Sequence, residues 1–351
     1  PPTGYTPASF APAIEPSVAN ALGTPTVNAT YQLPYLAHAT MEVLNCTVAI
    51  AWNGTAPVSC EVWAPTQGAS AVAANAAAIT GLPASSITVH TTFLGGGLGR
   101  KFEQDYICQA LQVAMAVKKP VKLTWRREED FAHDQYRPFA LVNVKAKLNA
   151  GKIAAWSYRN VSQAILGQRG WLPPGAVDSQ AVEGAVRLPY DMPTRLVEWV
   201  PLPAGIPVGF WRSVGSSINA FAVESMMDEL ALAAGVDPFT FRYNHLAGDP
   251  RFNAVLWAAD LMSSSWRNSL PKGHAWGVAI AESFGTVVAE VVEISQPSTS
   301  SIRVHRVDCV IDCGTVINPD SVEAQMQGGI VHAINAAMWG QTTFTAGKAN
   351  Q

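Results

Sequence analysis

The sequence predicts an α+β protein. Apolar residues alternate at period two in several short stretches and recur at helical spacing in others. The two kinds of stretch follow one another irregularly, not in the strict rhythm of a doubly wound sheet. At 351 residues, with 48% hydrophobic and only 14% charged side chains, the chain can bury a large core in one or two domains. No internal repeat is evident.

The first 25 residues are rich in Pro, Ala and Ser and lack a charged leader region, so 1–28 is read as a linker or a cut end. Residues 29–38 and 46–52 read as strands, and Glu61-Val62-Trp63 leads into Ala64-Pro65-Thr66-Gln67. An Ala-rich helix over 68–80 stops at Gly81 and Pro83. Ile87, Val89, Thr91 and Phe93 alternate with polar residues as a strand does. Tyr106, Ile107, Ala110, Leu111, Ala114 and Val117 recur as a helix does, closed by Lys118, Lys119 and Pro120. Residues 120–126 read as a short strand, and 141–148 with 152–161 as a hairpin around Asn149-Ala150-Gly151. A Gly- and Pro-rich loop fills 163–193, and a strand follows at 196–200. A second Gly-bounded turn spans 207–215, and a helix runs over 219–234 with Gly235 past its end. Asp237 and Pro238 open another helix reaching Leu246. Residues 276–294 and 302–311 read as strands, and Asn318-Pro319-Asp320 precedes a helix to Trp339 that Gly328-Gly329 interrupts.

A net charge of −3 without a basic run argues against nucleic-acid binding. No run of about 18 apolar residues suggests a membrane span. The five cysteines are scattered without a CxxC pair and read as buried free thiols; an iron–sulfur cluster needs four thiolates, so this chain does not carry one alone.

The stretch with most chemistry in it is Leu94-Gly95-Gly96-Gly97-Leu98-Gly99-Arg100-Lys101, between a strand and a helix. Glycines there turn backbone N–H groups outward, a helix start adds partial positive charge, and Arg100 and Lys101 add full charges. That describes an anion site. The spacing excludes a P-loop, which needs glycine where Arg100 stands, and it lacks the third glycine of a dinucleotide fingerprint. Close strand–helix packing is the competing explanation. No nucleophile elbow occurs, the seven histidines show no metal-ligand spacing, and Glu128, Glu129, Asp130 and Asp134 beside Arg126, Arg127 and Arg137 read as a solvated ion-pair network. Gln67, Arg212 and Gln325 are polar residues beside tight turns or helix starts, where side chains converge on ligands.

Several segments, taken together, resemble the molybdopterin-binding subunit of molybdenum hydroxylases, the xanthine dehydrogenase and aldehyde oxidase family. They are Pro34-Tyr35-Leu36-Ala37-His38-Ala39-Thr40-Met41-Glu42, Trp63 to Gln67, Gly95 to Lys101, and Gly209-Phe210-Trp211-Arg212-Ser213-Val214-Gly215 with Asn219, Phe221 and Glu224. Asp312-Cys313-Gly314, Ile317-Asn318-Pro319, Glu323-Ala324-Gln325 and Gly328-Gly329 complete the set. The likeness is strongest to the beta-subunit type of isoquinoline 1-oxidoreductase and to membrane-associated aldehyde dehydrogenases.

The resemblance implies molybdopterin-binding domains over 29–215 and 216–351. It implies that Gln67 hydrogen-bonds an oxo ligand of molybdenum, and that Gly95, Gly96, Gly97, Leu98, Gly99 and Arg100 form the loop holding the cofactor. Trp211, Arg212, Ser213, Val214 and Gly215 match a second loop, and Gln325 matches a pterin contact. No side chain ligates the metal, which the pterin dithiolene holds. The implied cofactor is molybdopterin cytosine dinucleotide, with electrons leaving through [2Fe-2S] clusters on a small partner subunit and, in the close subtype, a c-type cytochrome subunit. That subtype is periplasmic and membrane-associated through its partner, while other relatives are cytoplasmic.

Phe102 departs from the purine-oxidising pattern, which has a glutamate there. That disfavours a substrate gripped by a carboxylate through its ring nitrogens. An aldehyde oxidised to its acid with water as oxygen source is the expected reaction, with hydroxylation of an N-heteroaromatic such as isoquinoline as the rival, and Phe102 does not separate the two. The family's general base, a glutamate in a Gly-Val-Gly-Glu-type turn, has no match here. The sequence reads as the middle of a subunit roughly twice as long, which also leaves open a non-catalytic cofactor-binding half.

Overall fold

The computed structural model describes residues 16–246 and 248–350. In chain order it forms α1 (Pro16–Leu22), β1 (Val27–Leu33), β2 (Asn45–Asn53), β3 (Ala56–Ala64), α2 (Ala69–Thr80), β4 (Ile87–Thr91) and α3 (Asp105–Val117). Next come β5 (Val121–Thr124), α4 (Arg127–Ala132), β6 (Ala140–Asn149), β7 (Lys152–Ser162), α5 (Ile165–Gln168), α6 (Ser179–Val182) and β8 (Arg195–Pro201). The remainder is α7 (Ser216–Ala234), α8 (Pro238–His245), α9 (Pro250–Arg267), β9 (His274–Ser283), β10 (Thr286–Ser298), β11 (Ser301–Asp312), α10 (Pro319–Met338), β12 (Thr343–Thr345) and β13 (Lys348–Asn350). The α+β reading holds.

The chain divides into two units, each assembled from separated segments. The first takes the chain up to Pro34, then Phe139–Ala204 and Ser213–Gly340. It holds a sheet in the order β1-β6-β7-β8 and a second in the order β11-β10-β9. The expected hairpin is present: Asn149 pairs with Lys152, and Ala150 and Gly151 both have positive φ, as a tight right-twisting turn requires. Ten of the nineteen residues of α7 are buried, more than a one-sided stripe supplies, and α7 lies against both β1–β6 and β9. Its Met226, Met227 and Leu230 join Trp156, Tyr158, Phe239 and Phe241 in one core.

Four findings amend the sequence reading. Residues 1–15 lie outside the described residues, but part of the stretch read as linker is ordered: Val18 and Leu22 of α1 pack on Ala155. The loop over 163–193 carries two short helices, the second capped by Asp178, which accepts from Gln180 N–H. A whole helix was missed. α9 starts on Asp249-Pro250, the same signal that opens α8 at Asp237-Pro238, with Asp249 accepting from the N–H groups of Arg251 and Phe252. Finally, α10 runs unbroken through Gly328-Gly329. None of its residues is buried, and an apolar groove of about 440 Å³ separates it from β11.

The second unit comprises Tyr35–Pro138, Gly205–Arg212 and Gln341–Gln351. Its main sheet, β4-β3-β2-β5, packs one face on α2 and α3 through Cys46, Val48, Ile50, Cys60, Val62 and Ala64. Every cysteine is free; burial pushes the Cys46 thiol up to about 12 and Cys60 up to about 11, so these behave as small apolar side chains.

The first unit also buries a charge cluster. Arg242, fully buried, donates to Glu224 (2.9 Å) and Asp228 (2.6 Å), while Glu224 also accepts from Tyr190 OH (2.9 Å) and Ile280 N–H (3.0 Å). Removing one partner strands the others away from water. Arg242→Ala is therefore expected to lower unfolding stability by about 3–5 kcal/mol in a denaturant titration.

Candidate cofactor site

The glycine loop lies in the second unit, after β4. Its backbone alternates through the left-handed region at Gly96 (φ 91°), Leu98 (φ 55°) and Gly99 (φ 103°). A Cβ on Gly95 would lie 2.4 Å from Glu42 Cβ, and one on Gly97 would lie 2.5 Å from Gln67 Oε1. At Gly99 it would meet the Phe210 carbonyl oxygen at 1.4 Å. Close packing therefore accounts for these glycines, but against loop residues and not between strand and helix as the competing sequence reading expected.

The same geometry arranges a row of donors. Gly95 N–H donates to Glu42 Oε2 (2.9 Å), and Gly99 N–H donates to Gln67 Oε1 (3.1 Å). Between them, the N–H groups of Gly96, Gly97 and Leu98 meet no acceptor among the described residues. A run of such donors is the kind of backbone with which an anion or an oxygen ligand pairs. Gln67 is held by its own N–H, which donates to Lys101 O (2.9 Å). With Oε1 occupied by Gly99, its amide retains donors, the half of the group that an oxo ligand would need.

Two expectations about charge are corrected. No helix begins at the loop: Arg100–Phe102 form a single 3₁₀ turn, and α3 starts only at Asp105, with Gln104 as its N-cap. Nor do Arg100 and Lys101 present free charge, since both are fully buried. Arg100 grips Asp105 through both terminal nitrogens (2.9 and 2.6 Å), and its Nε lies 3.0 Å from Asp134. Lys101 donates to Glu42 at 2.5 Å. Burial works against the Glu42 charge, but Lys101, Gly95 and Asn45 together hold its carboxyl below the usual range. What the loop turns outward is backbone, because buried charges must be paired.

The acidic cluster is likewise not a solvated network. Arg126 and Glu129 pair on the surface, but Asp130, Asp134 and Arg137 are buried. Asp134 takes His38 Nδ1 (2.9 Å) and Arg100; His38 Nε2 lies 2.9 Å from Phe210 O. Phe102 meets Phe210 edge-on at 5.5 Å, and buried Trp211 donates to Ala37 O (3.4 Å) with the Arg137 guanidinium 5.3 Å above its ring. Burial pushes Arg137 down to about 10. So Gln67, the glycine loop, Phe102 and Trp211 share one unit with Arg212, which is half-buried at its edge.

The other expected residues belong to the first unit. Ser213 (φ 67°) and Val214 (φ 45°) are both left-handed, a rare state for a β-branched side chain. Gly215 N–H donates to Glu183 Oε2 (3.2 Å), and a Cβ on Gly215 would meet Gln180 O at 2.1 Å. Burial, with Glu282 nearby, raises the Glu183 carboxyl. Gln325 is exposed on α10. Sequence reasoning missed the supporting shell, Asp134 and Glu42 above all, for which only the alternation of charge near Arg100 and Lys101 was a signal.

Two measurements probe this frame. Gly99→Ala combines left-handed strain with a backbone clash, about 2–5 kcal/mol by calorimetry, whereas Gly81→Ala, left-handed but with open space around it, costs about 1 kcal/mol. Burial would raise the Asp134 carboxyl, yet His38 and Arg100 hold it below its ordinary value. A lowered folded value means stability that is present above the ordinary aspartate range and lost as pH falls through the folded one. Asp134→Asn is thus expected to be less stable than the wild type at neutral pH, with the gap closing below about pH 4.

Comparison with known proteins gives the family. Residues 15–246 match a molybdopterin cofactor-binding domain model, and 258–350 match a second one. The isoquinoline 1-oxidoreductase subunit beta of Brevundimonas diminuta is 30% identical over 292 residues, covering 80% of this chain and 37% of that protein. The membrane-bound aldehyde dehydrogenase [pyrroloquinoline-quinone] of Gluconacetobacter polyoxogenes is 28% identical, covering 74% of this chain and 36% of that protein. The chain therefore spans little more than a third of the length of these relatives. Among solved structures, quinoline 2-oxidoreductase from Pseudomonas putida 86 shares the fold, with a TM-score of 0.81 at 13% identity over 95% of this chain and 67% of that one. Among the described residues, no His, Cys, Asp or Glu cluster could hold a metal ion directly, and no helix is long and apolar enough to cross a membrane. The chain belongs to the molybdopterin cofactor-binding family of molybdenum-dependent oxidoreductases.

Proposed function

We propose that this chain is the cofactor-holding part of a molybdenum hydroxylase that oxidises an aldehyde to a carboxylic acid with water as the oxygen source. The observation that carries the proposal is the row of uncommitted N–H donors at Gly96, Gly97 and Leu98 beside the Gln67 amide. Donors without acceptors suit the oxygen ligands and pterin of a molybdenum cofactor, so the residues present fit the group. Molybdopterin cytosine dinucleotide, when bound, supplies a metal that takes two electrons from the substrate carbon.

The chain's own part is to bind and orient. In this reading the backbone of Gly95 to Arg100 cradles the cofactor, and Gln67 donates to an oxygen ligand. Trp211, Arg212, Ser213, Val214 and Gly215 supply a second stretch of contacts, and Gln325 meets the pterin. Phe102, half-buried and edge-on to Phe210, offers an apolar wall where a carboxylate would be needed to grip ring nitrogens. That favours an aldehyde over a purine. The name of the Brevundimonas relative supports a second reading, hydroxylation of an N-heteroaromatic. A third is a half that binds the cofactor without turning over substrate, and no residue here is assigned as general base. The proposed electron acceptor is a small [2Fe-2S] subunit, with a c-type cytochrome subunit beyond it and a periplasmic, membrane-associated setting.

Turnover of the native assembly on aldehydes and on isoquinoline, with molybdenum assayed alongside, tests the proposal. Gln67→Ala is expected to keep molybdenum but lower kcat by about 10²-fold, the usual loss for one positioned donor. Full molybdenum with unchanged kcat would contradict the role of Gln67. Absence of molybdenum from assembly never exposed to chelators would contradict the enzyme itself.

A further inference from the structure

Within the second unit, a closed circuit of contacts runs through His38. Its ring is 1% exposed. Nδ1 lies 2.9 and 3.1 Å from the two carboxylate oxygens of Asp134, and Nε2 lies 2.9 Å from Phe210 O. Asp134, also buried, pairs with Arg100 Nε at 3.0 Å. Arg100 follows Gly99, whose missing side chain is what lets the Phe210 carbonyl lie against it. From Gly99 the path goes through Arg100, Asp134 and His38 to Phe210, then back to Gly99.

The two segments so joined are far apart in sequence and differ in kind. One is the glycine turn; the other is Phe210-Trp211-Arg212, which enters this unit with Gly205 and leaves it at Arg212. Gly209 N–H, just before the second segment, goes to Tyr136 O. Both acceptors facing the ring, a carboxylate and a carbonyl, can only accept. Two good hydrogen bonds at once therefore need a proton on each ring nitrogen.

We propose that His38 is the positioning residue that locks the Gly99–Arg100 turn to the Phe210–Arg212 segment by donating from both ring nitrogens at once. The surrounding charges are arranged for it. Asp134 faces the ring, Arg100 and Asp105 balance each other behind Asp134, and Asp130 is held by Arg127, which also donates to the carbonyls of Thr40 and Met41. Arg137 lies over Trp211, and Tyr136 OH goes to Phe131 O. The inference rests on the cofactor reading only for what the locked arrangement serves.

Heteronuclear NMR of the histidine ring nitrogens in the full chain tests it first. The expected result is one histidine with both nitrogens protonated and slowly exchanging, its signals absent from His38→Gln. A singly protonated ring at His38, in either tautomer, would overturn the proposal. Hydrogen exchange separates positioning from general stability. In His38→Gln the Arg100 and Phe102 amides, which bond Gly97 O and Gly99 O, are expected to exchange at least about tenfold faster while the α3 amides stay unchanged. Equal acceleration everywhere, or none, would overturn it. In the native assembly, His38→Gln should also lose molybdenum several-fold faster on dialysis. Were the wild-type assembly to carry no molybdenum, the cofactor reading would fall, and the ring spectrum and exchange rates would still decide the role of His38.

Discussion

The second unit is organised around a contact that only glycine permits: the Phe210 carbonyl lying against the α-carbon of Gly99. Two loops from distant parts of the chain come within touching distance there, and the backbone of Gly99 must be left-handed to allow it. Most other features of the loop follow from that approach. Gln67 accepts from Gly99 N–H, so its amide is fixed; Arg100, next in the chain, is driven inward and must find carboxylates. Lys101 is driven inward as well and takes Glu42, which then captures Gly95 N–H and closes the far side of the loop. Charges are buried in pairs so that a short stretch of backbone can stay unpaired.

That inversion is the main lesson for the chemistry. A sequence with Arg and Lys after a glycine run suggests an anion site made by side-chain charge. In the structure the cations are buried in ion pairs, and the N–H groups of Gly96, Gly97 and Leu98 are the ones left without a protein acceptor among the described residues. Backbone donors are fixed in direction and lose no rotamer freedom when a ligand arrives, which suits a cofactor that must be held in one orientation.

Local signals were legible wherever local chemistry decides structure. The Asn149-Ala150-Gly151 turn, the Gly81 and Gly235 helix ends and the Asp237-Pro238 start all appear as the residues suggest. Asp249-Pro250 carried the same start signal, but the helix behind it mixes exposed Trp257, Leu261 and Met262 with its buried face and so lacks a clean period. Gly328-Gly329 looked like a break, but glycine weakens a helix by only about 1 kcal/mol per residue, which neighbouring turns offset. Burial of Asp130, Asp134 and Arg137 was illegible, since a charge run looks the same whether it is solvated or folded against partners a hundred residues away. The split of the 209–215 motif between two units was also invisible: it is a property of topology.

The motif resemblance points to Gly95–Arg100 as the proposed cofactor loop, and its run of backbone donors without protein acceptors gives that proposal a physical reason. The account stands or falls on where molybdenum sits. Anomalous scattering at the molybdenum edge, from crystals of the native assembly, is the most direct measurement. The account predicts a single peak close to the Gln67 amide, with ligand oxygen density facing the N–H groups of Gly96, Gly97 and Leu98. A peak elsewhere, with those three donors still facing water, would contradict it.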